Sequence, residues 1–322
     1  MKKKIKNKVV VTGCAGFIGS HLAERLIKLN YEVVGIDNLS TGKIKFLDNI
    51  IKHKNFSFYK VDILKNKNLE KYFKSSKIIF HLSANADVRN GFDNPKKDLE
   101  QNTIVTFRIL ELARKLLIKK IVFSSTGSIY GEPKKFPTKE DYNFPIQTSL
   151  YGCSKLAGEG LIQAYSHGYN IKAYIFRFVS IFGERYTHGH LFDFYKKLKK
   201  NPNALKVLGN GLQKKSYLNV TDCIDAIFIA LKKSNEKINI FNLGLNEYIT
   251  VKKSINYICK YLSLNPKRLY TGGKRGWIGD SPKIYLDNQK IKKLGWKPKK
   301  TIEKSIYETL LYFKKNEWIF KE

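Results

Sequence analysis

The chain has 322 residues, enough for one large domain or two that share an interface, and 43% of them are hydrophobic, so a sizeable core is available. No apolar run reaches the roughly 18 residues that a membrane-crossing helix needs, and the basic start Met1–Lys6 precedes a short, glycine-broken stretch unlike a signal peptide. The net charge of +33 is nearly all lysine spread along the chain; this argues against a dedicated nucleic-acid surface and leaves weak polyanion binding at low salt.

The first predicted strand, Val9–Thr12, breaks into Gly13-x-x-Gly16-Phe17-Ile18-Gly19, and a helical pattern follows at Leu22, Leu26 and Leu29. Strand, glycine turn and helix in that order suit a dinucleotide pyrophosphate. The first glycine permits the tight turn, the second lets backbone approach the phosphates, and the third lets helix and strand pack closely. The helix start then offers free N–H groups and a partial positive charge. Taken alone, the motif also fits any glycine-rich α/β turn. The second strand, Glu32–Asp37, narrows the reading, because Asp37 ends it where a carboxylate can bond the adenosine ribose hydroxyls and repel a 2′-phosphate. NAD is therefore expected, not NADP.

Further strands are expected at Phe56–Val61, Ile78–Leu82, Lys120–Ser124 and Lys172–Arg177, with helices between them, the clearest from Asn102 to Lys115. This alternation predicts βαβ units in a Rossmann-type, doubly wound parallel sheet. Ligands bind beyond the carboxyl ends of such strands, so Asp62–Ile63 and the loop from His81 through Leu82 to Ala84 should border the cofactor. His81 reads as a packed core histidine. After residue 178 the pattern loosens into a smaller C-terminal substrate-binding lobe. It contains a helix over Leu191–Leu198, a turn at Val207–Gly211, the stretch Ser216–Val220, a helix over Asp222–Lys232 and a loop at Gly272–Asp280. A strand near 239–243 is expected to rejoin the sheet, so the division into 1–177 and 178–322 is partly interleaved. Cys14, Cys153, Cys223 and Cys259 are far apart without metal-ligand spacing; reduced thiols in a cytoplasmic protein, and no metal, are expected.

Beyond the fifth strand lies Ser124–Ser125–Thr126–Gly127–Ser128–Ile129–Tyr130–Gly131, and then Tyr151-x-x-x-Lys155 opens a helix. Tyrosine and lysine at i and i+4 share a helical face. An ammonium beside the phenol, with a cationic nicotinamide near by, would lower a pKa ordinarily about 10. The phenolate could then take a proton from a sugar hydroxyl as hydride leaves the same carbon, with Thr126 bonded to that hydroxyl.

On these residues the chain resembles the extended short-chain dehydrogenase/reductases, in particular the nucleotide-sugar epimerases, over nearly its whole length. The resemblance rests on Gly13-x-x-Gly16-x-x-Gly19, Asp37–Asn38, Asp62–Ile63, Asn102, Thr126, Tyr151-x-x-x-Lys155, Arg177 to Gly183, Tyr217 to Asp222 and Arg275 to Asp280. It implies that Tyr151 is the acid/base, that Lys155 binds the nicotinamide ribose, that Asn102 sits by the cofactor and that Arg275 binds the substrate pyrophosphate. It also implies a homodimer through the helices near Asn102 and from Tyr151. Dehydratases and decarboxylases of the family carry acids where Gly127 and Ser128 stand here, so oxidation and re-reduction at one carbon remains. That resembles a 4-epimerase of a UDP-sugar, glucose or its N-acetyl analogue. Ser180, Lys215 and Tyr217 fall at substrate positions; Ser180 replaces an asparagine and Lys215 an arginine, losing the bidentate fork. Epimerisation at another carbon, net dehydrogenation or reduction of a nucleotide sugar, and a non-catalytic NAD- or polyanion-binding role are the alternatives.

Overall fold

The computed structural model describes residues 7–89, 91–143 and 145–321, and the basic run Met1–Lys6 lies outside the described residues. Its centre is a seven-stranded sheet. In chain order the strands are β1 (Lys8–Thr12), β2 (Glu32–Asp37), β3 (Phe56–Lys60), β4 (Ile78–His81), β5 (Lys120–Thr126), β6 (Lys172–Phe178) and β7 (Ile238–Leu243). Their spatial order is β7-β6-β5-β4-β1-β2-β3 and every pairing is parallel. A parallel sheet must be covered on both faces, and the strand sequences obey that demand. Val9, Val10 and Val11 are all fully buried, with Val9 and Val11 in the core on one face and Val10 in the core on the other. The strand order reverses between β1 and β4, which leaves a crevice beyond their carboxyl ends.

Two expectations about element limits needed correction. Helix α1 (Phe17–Lys28) starts within the glycine motif, with Gly16 as its N-cap, so Gly19 lies in its first turn. The helical run expected from Asn102 begins earlier, at Pro95, and passes through a wider π-type turn over Leu99–Ile104 before helix α2 (Val105–Lys115). Such a turn re-aims side chains, and here it directs Asn102 inward. Helix α3 (Leu150–Tyr169) is capped by Ser149, whose hydroxyl accepts from the Gly152 N–H at 3.0 Å, and ends at Asn170 in the left-handed conformation.

Beyond Phe178 the chain leaves the sheet and returns once, as β7, in register with β6 from Ile238 opposite Ala173 to Leu243 opposite Phe178. The rest forms small strand pairs around helices. Ser180–Phe182 pairs with Tyr217–Asn219, Ala204–Val207 with Lys267–Tyr270, and Lys214–Lys215 lies between Ile249–Thr250 and Lys283–Ile284. This part shares one continuous core with the α1 face of the sheet: Leu22 and Leu26 belong to the same cluster as Phe182, Tyr217, Trp296 and Phe313. Among the described residues no helix is long and apolar enough to cross a membrane, and no group of His, Cys, Asp and Glu is arranged to hold a metal ion.

Candidate active site at the carboxyl edge of the sheet

The edge begins with backbone. Gly13 sits at φ +72°, and a Cβ there would lie 2.7 Å from the Ser83 nitrogen. A Cβ on Gly19 would lie 2.0 Å from the Gly13 carbonyl oxygen, so the first turn of α1 can rest on the β1 turn only with glycine there. No side chain caps the start of α1, which leaves its first N–H groups to a ligand. Asp37, only 8% exposed at the end of β2, accepts from the Ala15 N–H (3.0 Å) and the Leu39 N–H (2.8 Å). Burial raises its pKa, and the two N–H donors oppose that rise. A cradle of glycines, open helix N–H groups and a carboxylate at the neighbouring strand end fit a dinucleotide. Asn38, whose side chain accepts from Ser40 N–H, lies beside Asp37; Asp62 and Ile63 follow β3, and Leu82 and Ala84 follow β4. Phe17 and Ile18 occupy the first turn of α1.

His81 is fully buried, with Nδ1 2.9 Å from Thr12 Oγ1 and Nε2 3.0 Å from Thr106 Oγ1. Burial, aided by Lys155, lowers its pKa to about 3, so it is a neutral core group. Asn102 is likewise committed to structure. Its oxygen accepts from the Asn85 N–H at 2.8 Å, and its amide donates to Ser154 Oγ at 2.9 Å and Asp98 Oδ1 at 3.3 Å. It ties the loop after β4 to α3.

β5 runs two residues further than its apolar pattern suggested and ends at Thr126, whose hydroxyl accepts from the Ser128 N–H at 3.1 Å. Tyr151 opens α3 beside Thr126. Burial pushes its phenol up to about 12; Thr126 works against the shift and the Asp98 carboxylate adds to it. Lys155, 2% exposed, donates to the Ser124 carbonyl at 2.8 Å and lies 4.7 Å from the Phe123 ring centre. Burial lowers its pKa to about 7, while Glu159 and Asp98 hold it up. Among the protein groups the phenol thus stays raised by burial, while the Lys155 ammonium uses one of its three donors on the end of β5.

The floor holds a buried ion pair, with Glu159 as the member the sequence reading does not single out. Glu159 pairs with Arg177 (2.7 Å, side chains 0% and 8% exposed) and accepts from Ser125 Oγ, and Arg177 also donates to Tyr130 Oη at 2.7 Å. The signal for Glu159 was present, since Tyr151, Lys155 and Glu159 recur at i, i+4 and i+8. Asp98 stands in the same relation to Asn102.

The expected substrate side chains are arranged differently from expectation. Tyr217 is 2% exposed and stacks on Phe182 (centroids 4.3 Å, 14°) beside His190, so its ring belongs to the core and not to a ligand face. Lys215 is spent on Asp280 (2.7 Å; side chains 12% and 3% exposed) and also donates to the Ser281 carbonyl. Arg275 pairs with Glu132 and donates to the Asp280 carbonyl at 2.9 Å. Ser180 remains exposed at the start of its short strand.

With this geometry in hand, comparison with known proteins places the chain. Residues 9–244 match the model of the NAD dependent epimerase/dehydratase family. A putative UDP-glucose 4-epimerase of Methanocaldococcus jannaschii is 35% identical over 96% of this chain and 99% of its own. A crystal structure of UDP-glucuronic acid 4-epimerase from Bacillus cereus, in complex with UDP-glucuronic acid and NAD, superposes with a TM-score of 0.88 at 27% identity, over 96% and 99% of the chains. A UDP-N-acetylglucosamine 4-epimerase from Methanobrevibacter ruminantium superposes with a TM-score of 0.87 at 26% identity, over 97% and 100%. The chain belongs to the NAD-dependent epimerase/dehydratase family.

Proposed function

We propose that this family member epimerises a UDP-sugar at C4, with UDP-glucose or its N-acetyl analogue as substrate. The observation that carries the proposal is Tyr151 beside Thr126, one helical turn before the buried Lys155, with Gly127 and Ser128 where the resemblance places acids in dehydratases and decarboxylases. Tyr151 takes the proton of the C4 hydroxyl and later returns it, and Thr126 orients that hydroxyl. Lys155, fixed by the Ser124 carbonyl, would bind the nicotinamide ribose, as the resemblance implies. Bound NAD would supply the hydride acceptor and donor for oxidation and re-reduction at C4. Gly13, Gly16, Gly19 and Asp37 hold the cofactor, supported by the glycine cradle and the buried carboxylate.

Relatives named for UDP-glucose and UDP-N-acetylglucosamine support these sugars, and one named for UDP-glucuronic acid makes UDP-glucuronate the competing substrate. Incubating the purified protein with each of these and with GDP-mannose, without added NAD, tests the proposal. The 4-epimer of one UDP-sugar should appear. Stoichiometric consumption of added NAD would instead favour net dehydrogenation on the same residues, and a different epimer would move the chemistry to another carbon. The proposal extends to residues 1–177 as the NAD-binding part and 178–322 as the main substrate lobe. It also includes a cytoplasmic homodimer, supported by the unpaired thiols and by exposed Ile104 in the π-type turn, Phe107 on α2 and Tyr169 on α3.

A further inference from the structure

Two cations were expected to meet the substrate diphosphate, and the structure gives them unequal freedom. Lys215 and Asp280 form a pair whose side chains are 12% and 3% exposed, and Asp280 Oδ2 also accepts the Gly276 N–H at 3.0 Å. Separating that pair strands a buried charge, so Lys215 is a fixed fastener. Arg275 and Glu132 are each 43% exposed, and an ion pair of that kind is weak. Arg275 is thus the cation that can change partners.

The pair also fastens a loop. Glu132 follows Gly131, at the end of the reactive stretch that begins with Thr126, and Ser281 Oγ donates to the Gly131 carbonyl at 3.0 Å. The base of the late loop is tied to the turn at 208–211: the Gly272 N–H donates to the Gly209 carbonyl (3.2 Å) and the Asn210 N–H to the Gly273 carbonyl (2.9 Å). Between these anchors Arg275 is held by Glu132 and by the Asp280 carbonyl. A carboxylate therefore engages the guanidinium where an anionic ligand would.

We propose that Glu132 is an exchangeable counter-ion for Arg275, which holds the loop over 274–281 against the reactive stretch and yields the guanidinium to the diphosphate of the nucleotide sugar. This rests on the reading of the substrate as a UDP-sugar. Glu132 sets affinity by competition: part of the Arg275–diphosphate interaction is used to displace it. Since two oxygens of a phosphate match the guanidinium fork as a carboxylate does, exchange preserves the hydrogen bonds of Arg275.

The test is calorimetric titration of UDP into the NAD-loaded protein. Glu132→Gln should tighten UDP by about two- to fivefold, the range set by a half-exposed ion pair. In an Arg275→Ala background the same change should leave UDP affinity unaltered. If Glu132→Gln weakens UDP binding or leaves it unchanged, Glu132 is no competitor and the inference fails while the UDP-sugar reading stands. If the wild-type protein retains NAD and binds no UDP, both fail together.

Discussion

The cofactor edge and the late loop lie on the same rim of the sheet and are built from different materials. The cofactor edge is backbone: glycines at β1, uncapped N–H groups at the start of α1, and Asp37 held by two main-chain N–H groups. The late loop is side-chain charge: Lys215 with Asp280 and Arg275 with Glu132. The difference teaches where specificity can be adjusted. A backbone cradle is set by local chain geometry and tolerates little change. Ion pairs can be exchanged one by one.

The largest expected effect separates chemistry from both architectures. Tyr151→Phe removes the proton carrier, so kcat should fall by about 10²–10⁴-fold, while NAD retention and melting temperature stay near wild type. A parallel loss of NAD would show that the phenol also builds the cofactor edge. Next comes Asp280→Asn, which leaves Lys215 buried without its counter-charge. We expect a loss of about 3 kcal/mol of folding stability by denaturant titration. An unchanged midpoint would make the late loop as tolerant as an exposed surface. Gly19→Ala strikes the other region, with a Cβ 2.0 Å from the Gly13 carbonyl. It should destabilise the fold by about 1–3 kcal/mol and abolish NAD co-purification, which absorbance of the released cofactor reports.

The smallest test of the comparison is acid. His81 on the cofactor side is buried and neutral, its pKa lowered to about 3. The unfolded chain binds the proton below an ordinary value near 6.5 and the folded chain does not, so stability falls as the pH drops through the window from 6.5 toward 3. Between pH 6.5 and 5 this amounts to about 2 kcal/mol. Denaturant midpoints across that range should show the slope, and His81→Gln should reduce it by the His81 share, because buried His21 and His190, both lowered to about 4, add to the same slope. An unchanged slope in the variant would assign the acid sensitivity elsewhere.

The sheet was legible from sequence because its signals are local. Each predicted strand lies within a residue or two of the observed one, and β7 rejoins the sheet where 239–243 pointed. The glycine motif, Asp37, Thr126 and the i, i+4 relation of Tyr151 and Lys155 are short-range patterns, and all reach the same rim. The start of α1 was misjudged because the apolar spacing of Leu22, Leu26 and Leu29 marks the packed face and not the first turn. The π-type turn before α2 leaves no such pattern. Lys215, Tyr217 and Arg275 were located in sequence without their partners: Asp280, Phe182 and Glu132 are joined to them only by the tertiary fold. A lysine bound to an aspartate and one awaiting a phosphate look the same in one dimension.

The most direct test of the central claim is the fate of the C4 hydrogen. UDP-sugar carrying deuterium at C4 would be converted in ordinary water, without added NAD, and the product examined by proton NMR. The account predicts a 4-epimer that keeps its deuterium at C4, because hydride leaves and returns within the protein-bound pair of sugar and cofactor. Replacement of that deuterium by solvent hydrogen would mean carbon-acid chemistry and would contradict the account.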